Sequence, residues 1–443
     1  MRKTACTTLV FACIAAAYGT PSFGQTATNP TTLTAPQVPS IPINVLTLAQ
    51  AWQWAESSNA SIKLKAAQLT AAEGLRTDAN VLLFNNPQLS LEGTRRDVPQ
   101  SGLPTERRSE WGVGLSQTLE LGGQRGYRRE AADAALAALR AEIDALRLQV
   151  RHEVAQQFYR VLALQQRIEL EAQALTLFDG TAVAIQKRRV AGEDTKLDAN
   201  VAAVEAERAR NQLAVAQEQL LDARSDLATK LQLPAEQLPL VAGDLETQVK
   251  GTPYALERLL SNVEAQPKFA ALASREDSAR AKIKLEQASR TPDVTVGLSV
   301  AREGPTAARE RVTMLSVSVP LPLFKRNASG IGQASSDLQQ AQIERQTTLR
   351  DTQAEVRALW GKLTSLQSRV RRFQDSVLPT LGDNEQLSVK SKRAGQIGLL
   401  ELIVIQRQSL DARRDLLDAL TEYQITRIAL ERAAGWMQEG TKP

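Results

Sequence analysis

Apolar residues in this chain recur at seven-residue intervals over stretches longer than an ordinary globular helix. The pattern is clearest at Val356, Leu359, Leu363, Leu366, Val370, Phe373 and Val377, where spacings of three and four alternate. Val154, Val161, Ile168 and Leu175 are seven apart, as are Leu213, Leu220 and Leu227, and Leu416, Tyr423 and Leu430. A sustained seven-residue repeat keeps one seam of a helix against a partner, so these segments are predicted to pair as coiled coils. Between Gly126 and Val190 only Gly180 interrupts the helical pattern. At 1.5 Å per residue such a helix would be about 100 Å long, which predicts a rod or tube.

Four islands switch to period-two alternation. The first holds Leu89, Leu91 and Gly93, and the second Trp111, Val113, Leu115, Leu119 and Leu121. The third holds Val294, Val296, Leu298 and Val300, and the fourth Leu315, Val317, Val319, Leu321 and Leu323. Each is about ten residues, the length of a tilted membrane-spanning strand, and Trp111 suits an interfacial aromatic belt. The links inside the two pairs, 95–108 and 302–311, are polar and charged, and are predicted as water-facing loops. Four strands cannot close a barrel, and an open edge is not tolerated in lipid. Strands in a membrane must therefore be shared between chains, and a homotrimer supplies twelve. The predicted fold class is a mixed α/β membrane protein. Each chain contributes four transmembrane β-strands and long coiled-coil helices to a 12-strand β-barrel and a 12-helix α-barrel. The competing arrangement is a pair of hairpins on a soluble helical bundle.

The chain repeats itself at an offset of about 203 residues. Asn86-Pro87 matches Thr291-Pro292, Leu115–Leu121 matches Val317–Leu323, Glu153-Val154 matches Glu355-Val356, and Ala191-Gly192 matches Ala394-Gly395. The predicted organisation is a signal peptide at 1–24, an extended arm at 25–46 and a first repeat at 47–233. A linker at 234–253, marked by Pro234, Pro239, Gly243, Gly251 and Pro253, is expected to form part of a collar, and a second repeat occupies 254–437.

Composition narrows the function. Arg2 and Lys3, the apolar run at 7–17 and Ser22-Phe23-Gly24 have the form of a secretory signal. Cys6 and Cys13, the only cysteines, fall inside it, and Cys13 is not read as lipidated. The expected mature chain therefore lacks thiol chemistry. Without Arg2 and Lys3, 52 of the 54 basic residues remain against 49 acidic ones, a near-balance that excludes a nucleic-acid partner. His152, the one histidine, is expected on a solvated helix face, so no catalytic set, metal site or cofactor site can be drawn.

Several of these features together resemble the TolC-like outer-membrane efflux family. They are the two-fold repeat, the Asn-Pro entry to the first strand, Gln117-Thr118-Leu119-Glu120-Leu121-Gly122-Gly123-Gln124-Arg125, and the glycine-centred turn at 189–198. Val319-Pro320-Leu321-Pro322-Leu323-Phe324-Lys325-Arg326-Asn327 is similar to the cobalt–zinc–cadmium subgroup. The resemblance implies a trimer in outer-membrane lipid, docked to a periplasmic adaptor and an inner-membrane, proton-driven RND-type pump. It also implies that the turns between the long helices are a periplasmic tip, closed at rest. Gly192, Glu193, Asp194, Lys196 and Asp198 stand at the first turn, and Lys392, Arg393, Gly395 and Glu401 at the second. The family's arginine–tyrosine lock is absent as such, since Ile397 and Lys392 occupy those places. Closure by charge would have to use Lys392, Arg393, Lys196 or Arg189 against Asp198, Glu193, Asp194 or Glu401; the alternative is ordinary solvated helix ends. The function expected is passive export of divalent metal cations. Drugs or a secreted polypeptide are alternatives within the fold, and a soluble periplasmic coiled-coil adaptor is the alternative outside it.

Overall fold

The computed structural model describes residues 45–435 apart from 235, 247–248, 250–253 and 306–307, and apart from the side chains of Leu103 and Arg393. The signal peptide, nearly all of the arm, both cysteines, and Gly251 and Pro253 of the linker lie outside the described residues. Helices α1 (Leu48–Ser58) and α2 (Ala60–Asn80) lead into strands β1 (Gln88–Gln100) and β2 (Leu103–Leu119). The 67-residue α3 (Gln124–Val190) and α4 (Lys196–Leu231) follow as the first long hairpin. The second half runs α5 (Leu256–Asn262), α6 (Pro267–Ala288), β3 (Val294–Glu303), β4 (Glu310–Ser318) and α7 (Ala328–Arg372). A π-helical turn (Phe373–Val377) joins α7 to α8 (Leu378–Arg393), and α9 (Leu399–Ala434) completes the second hairpin.

Alanine lines the seam of the first hairpin. Ala202, Ala209, Ala216 and Ala223, seven apart on α4, are each no more than 3 % exposed. Leu213 and Leu220, the expected seam residues, are only half-buried, although Leu227 is fully enclosed. A methyl side chain lets two helices approach closely, so the narrow alanine stripe takes the contact and the leucines flank it. In the second hairpin Val356, Leu363, Leu366 and Val370 are buried as expected. The seam then stops, because Phe373 and Val377 fall in the π turn and are half-buried. One extra residue rotates the following helix by about 100°, which carries the next apolar positions off the seam. Pro379 supplies the cause: its ring would clash with the carbonyl of Asp375 in a regular α-helix.

Near the strand-proximal ends of the hairpins the core is continuous, with Val154, Phe158, Val161, Leu227, Leu231, Leu259, Val263 and Leu430 in one cluster. The linker is fastened to it by glutamine amides. Gln165 Nε2 donates to the Val241 carbonyl at 2.9 Å, and Gln367 Nε2 to the Val249 carbonyl at 2.7 Å. Leu46 pairs with Val241 across an isolated parallel bridge.

The four strands form one antiparallel sheet in the order β1-β2-β3-β4. Its register sets Leu89, Leu115, Leu298 and Leu315 in one row and Leu91, Val113, Val300 and Thr313 in the next. All the period-two apolar residues thus share a face. The opposite face carries Ser90, Gly114, Ser299 and Met314, then Gln88, Ser116, Gly297 and Ser316. The first link differs from expectation. Residues 95–108 are predominantly strand, with β1 and β2 separated only by Ser101 and Gly102. Backbone pairing holds an extended ribbon together without an apolar face. Arg96 reaches Glu110 at 3.3 Å and Arg108 reaches Glu106 at 2.9 Å across its polar surface. The second link also shortens, to the residues between Glu303 and Glu310.

Candidate functional site

Among the described residues no group of His, Cys, Asp or Glu could hold a metal ion. No helix of the described residues is long and apolar enough to cross a membrane. The apolar face of the sheet is outward and unshielded: Leu89, Leu91, Leu115, Leu298 and Leu315 are all more than half exposed. The small-residue face is crowded. A Cβ at Gly114 would lie 2.5 Å from Ser90 Oγ, and one at Gly297 would lie 2.6 Å from Ser316 Oγ. The Gly/Ser face thus has no room for larger side chains at these positions, while the Leu/Val face is open. Among the described residues neither β1 nor β4 has a second neighbour, so both outer edges present unpaired ladder groups.

The LGGQR run closes the junction between sheet and helix. Gly123, at φ +78°, is the N-cap of α3, and a side chain at Gly122 would meet the Ala288 carbonyl at 2.7 Å. Gln124 Nε2 donates to Asp293 Oδ1 at 3.1 Å, and Arg125 donates to the carbonyls of Asn80 and Val81. In the second repeat Asn327, also left-handed, opens α7 and donates to the Glu286 carbonyl and carboxylate.

At the far ends of the hairpins the two turns are built alike. Gly192 (φ +83°) and Gly395 (φ +74°) reverse the chain. The Gly192 and Glu193 amides return to the Arg189 and Arg188 carbonyls, and the Gly395 and Gln396 amides to those of Lys392 and Ser391. Asp198 and Glu401 then cap the next helices. Asp198 accepts from the Thr195 hydroxyl at 2.6 Å, and Glu401 accepts from the Gly398 amide at 2.8 Å. The bonds from Thr195, with Lys392 adding a positive charge nearby, hold the Asp198 carboxyl below the usual carboxylate range. Lys392 of the second turn thus acts on Asp198 of the first through space, with no direct ion pair between them among the described residues. Glu193 and Asp194 both face Arg188, at 3.3 and 3.2 Å, rather than Arg189. Lys196 opens α4, and the Arg393 side chain lies outside the described residues.

Sequence reading missed the charges that tie the hairpins together. Arg407 on α9 forms a two-bond fork with Glu205 on α4, its Nε at 2.6 Å, and Glu205 is buried. Arg414 grips Glu171 of α3, its Nε at 2.9 Å, and reaches Gln212 of α4 at 2.6 Å. Glu171 is 1 % exposed and also accepts from Arg167 at 2.7 Å. The repeat gave no signal for these pairs: at the 203-residue offset of the long helices Glu205 aligns with Gln408 and Gln212 with Asp415, so the arginines sit one position off the equivalent places. His152 corrects another expectation. It is half-buried on α3, and desolvation together with Arg432 and Arg151 lowers its pKa to about 4. A neutral imidazole there is structural.

A four-stranded sheet with two open edges, carried on paired helical hairpins that end in matched turns, has the form of one share of a channel wall. A family model described as outer membrane efflux protein matches residues 51–231 and 259–436. The chain belongs to the outer membrane efflux protein family: it is an outer-membrane efflux channel component with a large helical periplasmic portion, and not an enzyme. It is 26 % identical to the cobalt-zinc-cadmium resistance protein CzcC of Cupriavidus metallidurans over 425 residues, 95 % of this chain and 98 % of that one. It is 23 % identical to the pyoverdine export outer membrane protein OpmQ of Pseudomonas putida, covering 89 % of this chain and 87 % of that one. The fold matches the outer membrane protein VceC of Vibrio cholerae with a TM-score of 0.73 at 19 % identity, over 88 % of this chain and 96 % of that one.

Proposed function

We propose that this chain is the exit duct of a tripartite pump for divalent heavy-metal cations. Three copies would share one barrel, docked below to a periplasmic adaptor and an inner-membrane RND-type pump. The observation that carries the cargo is the match to CzcC along nearly the full length of both chains. OpmQ, matched over somewhat less of each chain at lower identity, favours the second reading, export of an organic molecule. The open edges of β1 and β4 support the shared barrel, because three four-stranded sheets make a wall without edges. In this reading the duct leaves selection to the pump, and its Gly/Ser face lines the exit. The resting closure is read at the matched turns, with Lys392 of the second turn acting on Asp198 of the first, while Arg188 with Glu193 and Asp194 stiffens the first turn itself. Each exposed pair contributes only about 0–1 kcal/mol, but three copies of several pairs add up.

Deletion of the gene followed by growth on cobalt, zinc, cadmium or nickel, beside growth on dyes and detergents, tests the cargo. Loss of metal tolerance alone is the expected result, and dye sensitivity with normal metal tolerance would transfer the assignment to organic cargo. For the closure, Lys392→Ala should raise ion conductance across planar bilayers several-fold, and an unchanged conductance would return these charges to the role of solvated helix ends.

A further inference from the structure

One large apolar residue of the β4–α7 link has nothing over it. Phe324 is 97 % exposed, the most exposed large apolar side chain among the described residues. Leu321 and Leu323, at 74 % and 67 %, continue the outward parity of β4, and Leu121, the first-repeat counterpart of Leu323, is likewise 63 % exposed. Outward parity therefore accounts for the leucines but not for Phe324. On the other edge of the sheet, the link ahead of β1 exposes Leu82 and Leu83 at 76 % and 46 %. Both links lie at the helix-ward end, because β1 leaves from that end and β4 returns to it.

The internal repeat supplies a template for what covers Phe324. The repeats meet where β2 pairs with β3. At the base of that pairing the link after β2 packs against the link before β3. A Cβ at Gly122 would lie 2.7 Å from the Ala288 carbonyl and 3.0 Å from Thr291 Cβ. The strand alignments that relate the repeats carry Gly122 onto Phe324, and Ala288 and Thr291 onto Leu83 and Asn86. Within one chain those two links stand on opposite edges of the sheet and do not meet, whereas between neighbouring copies the β4 edge and the β1 edge are the pair that must join.

We infer that Phe324 packs against Leu82 and Leu83 of a second copy of this chain, an apolar clasp at the foot of the seam between copies. The inference rests on the shared-barrel reading. Where the junction inside the chain brings backbones together over a glycine, the junction between chains is filled by a phenyl ring and two leucines.

A cysteine pair tests this cleanly, since the only native cysteines, Cys6 and Cys13, precede residue 25. In the full-length protein extracted from outer membranes, the double variant Leu83→Cys/Phe324→Cys is expected to give covalent dimers and trimers with a short bis-maleimide, and neither single variant should do so. Native mass of the wild type in detergent separates the two ideas. A monomer overturns the shared barrel and the clasp together, while a trimer without cross-links in the double variant overturns the clasp alone. Bimane attached at Phe324→Cys gives an independent reading. Little quenching by brominated acyl chains is expected, and strong quenching would place residue 324 in lipid and overturn the clasp.

Discussion

The two long hairpins descend from one repeated pattern yet are held very differently. In the first, α3 runs unbroken for 67 residues and buries Ala174, Phe178 and Ile185 toward its tip, against the alanine stripe of α4. In the second, the same stretch is broken by the π turn, and among the described side chains of α8 only Ser388 is buried. The free end of the second hairpin is therefore held less by its own seam than by α9, which packs Leu399, Ile403 and Leu410 into the first hairpin's apolar cluster and adds Arg407–Glu205 and Arg414–Glu171. Equal length does not give equal rigidity. Seam packing makes the first hairpin a strut, whereas the second has no seam among the described residues below the π turn, which leaves α8 as the part that can open.

The largest effect expected comes from removing one of these ion pairs. Arg414→Met leaves Glu171, almost fully enclosed, with Arg167 as its remaining cationic partner, and should cost about 3 kcal/mol. Urea unfolding in detergent measures it, and adding Glu171→Leu should restore most of the loss. If the single variant unfolds like the wild type, the second hairpin does not depend on the first. The next effect is acidification, acting through His152 of α3, which the charge of Arg432 on α9 reaches. Unfolded, the imidazole takes a proton near pH 6.5; folded, burial and the two arginines delay this to about pH 4. Between those values the unfolded chain binds more protons, so the His152 term costs stability as pH falls through the window, by roughly 2–3 kcal/mol, and levels off below it. His152→Gln should flatten that slope while other titrating groups remain.

These contrasts were unevenly legible in the sequence. Period and repeat disclosed the strands, the long helices and the turn glycines, because each depends on local spacing. The ribbon at 95–108 was hidden, since backbone pairing above an apolar band leaves no hydrophobic alternation to read. The alanine stripe was hidden for a related reason: leucines at neighbouring positions dominate any search for apolar residues, although it is the smaller side chain that permits contact. Pro379 was visible, but its consequence depends on whether a helix bends, ends or absorbs an extra residue. The site was less legible than the fold. Only the turn geometry shows Asp198 occupied in a reciprocal capping box with Thr195 and Glu401 occupied by the Gly398 amide. Glu171 and Glu205 looked like ordinary helix charges until α9 was laid against them.

Enlarging the seam separates the hairpins by a smaller margin. Ala209→Leu inserts bulk where α3 and α4 meet and should cost about 1–3 kcal/mol. Leucine at the exposed position Gln386 of α8 should be nearly silent in the same unfolding measurement. A comparable cost at both sites would show that α8 is packed as tightly as α4.

The smallest effect is also the most discriminating. Gly180 in α3 and Gly382 in α8 both lie inside helices with nothing within 4 Å of an added Cβ. Alanine at either place should gain about 0.5–1 kcal/mol of helix propensity. The gain should be reported differently. α3 unfolds only with the whole, so Gly180→Ala should raise the global midpoint in urea. α8 can open below the π turn while the rest stays folded, so Gly382→Ala should slow amide exchange in α8 several-fold and leave the global midpoint nearly unmoved. Equal shifts of the midpoint would mean that both hairpins open as one cooperative unit. The π turn would then be a local accommodation of Pro379 with no mechanical consequence.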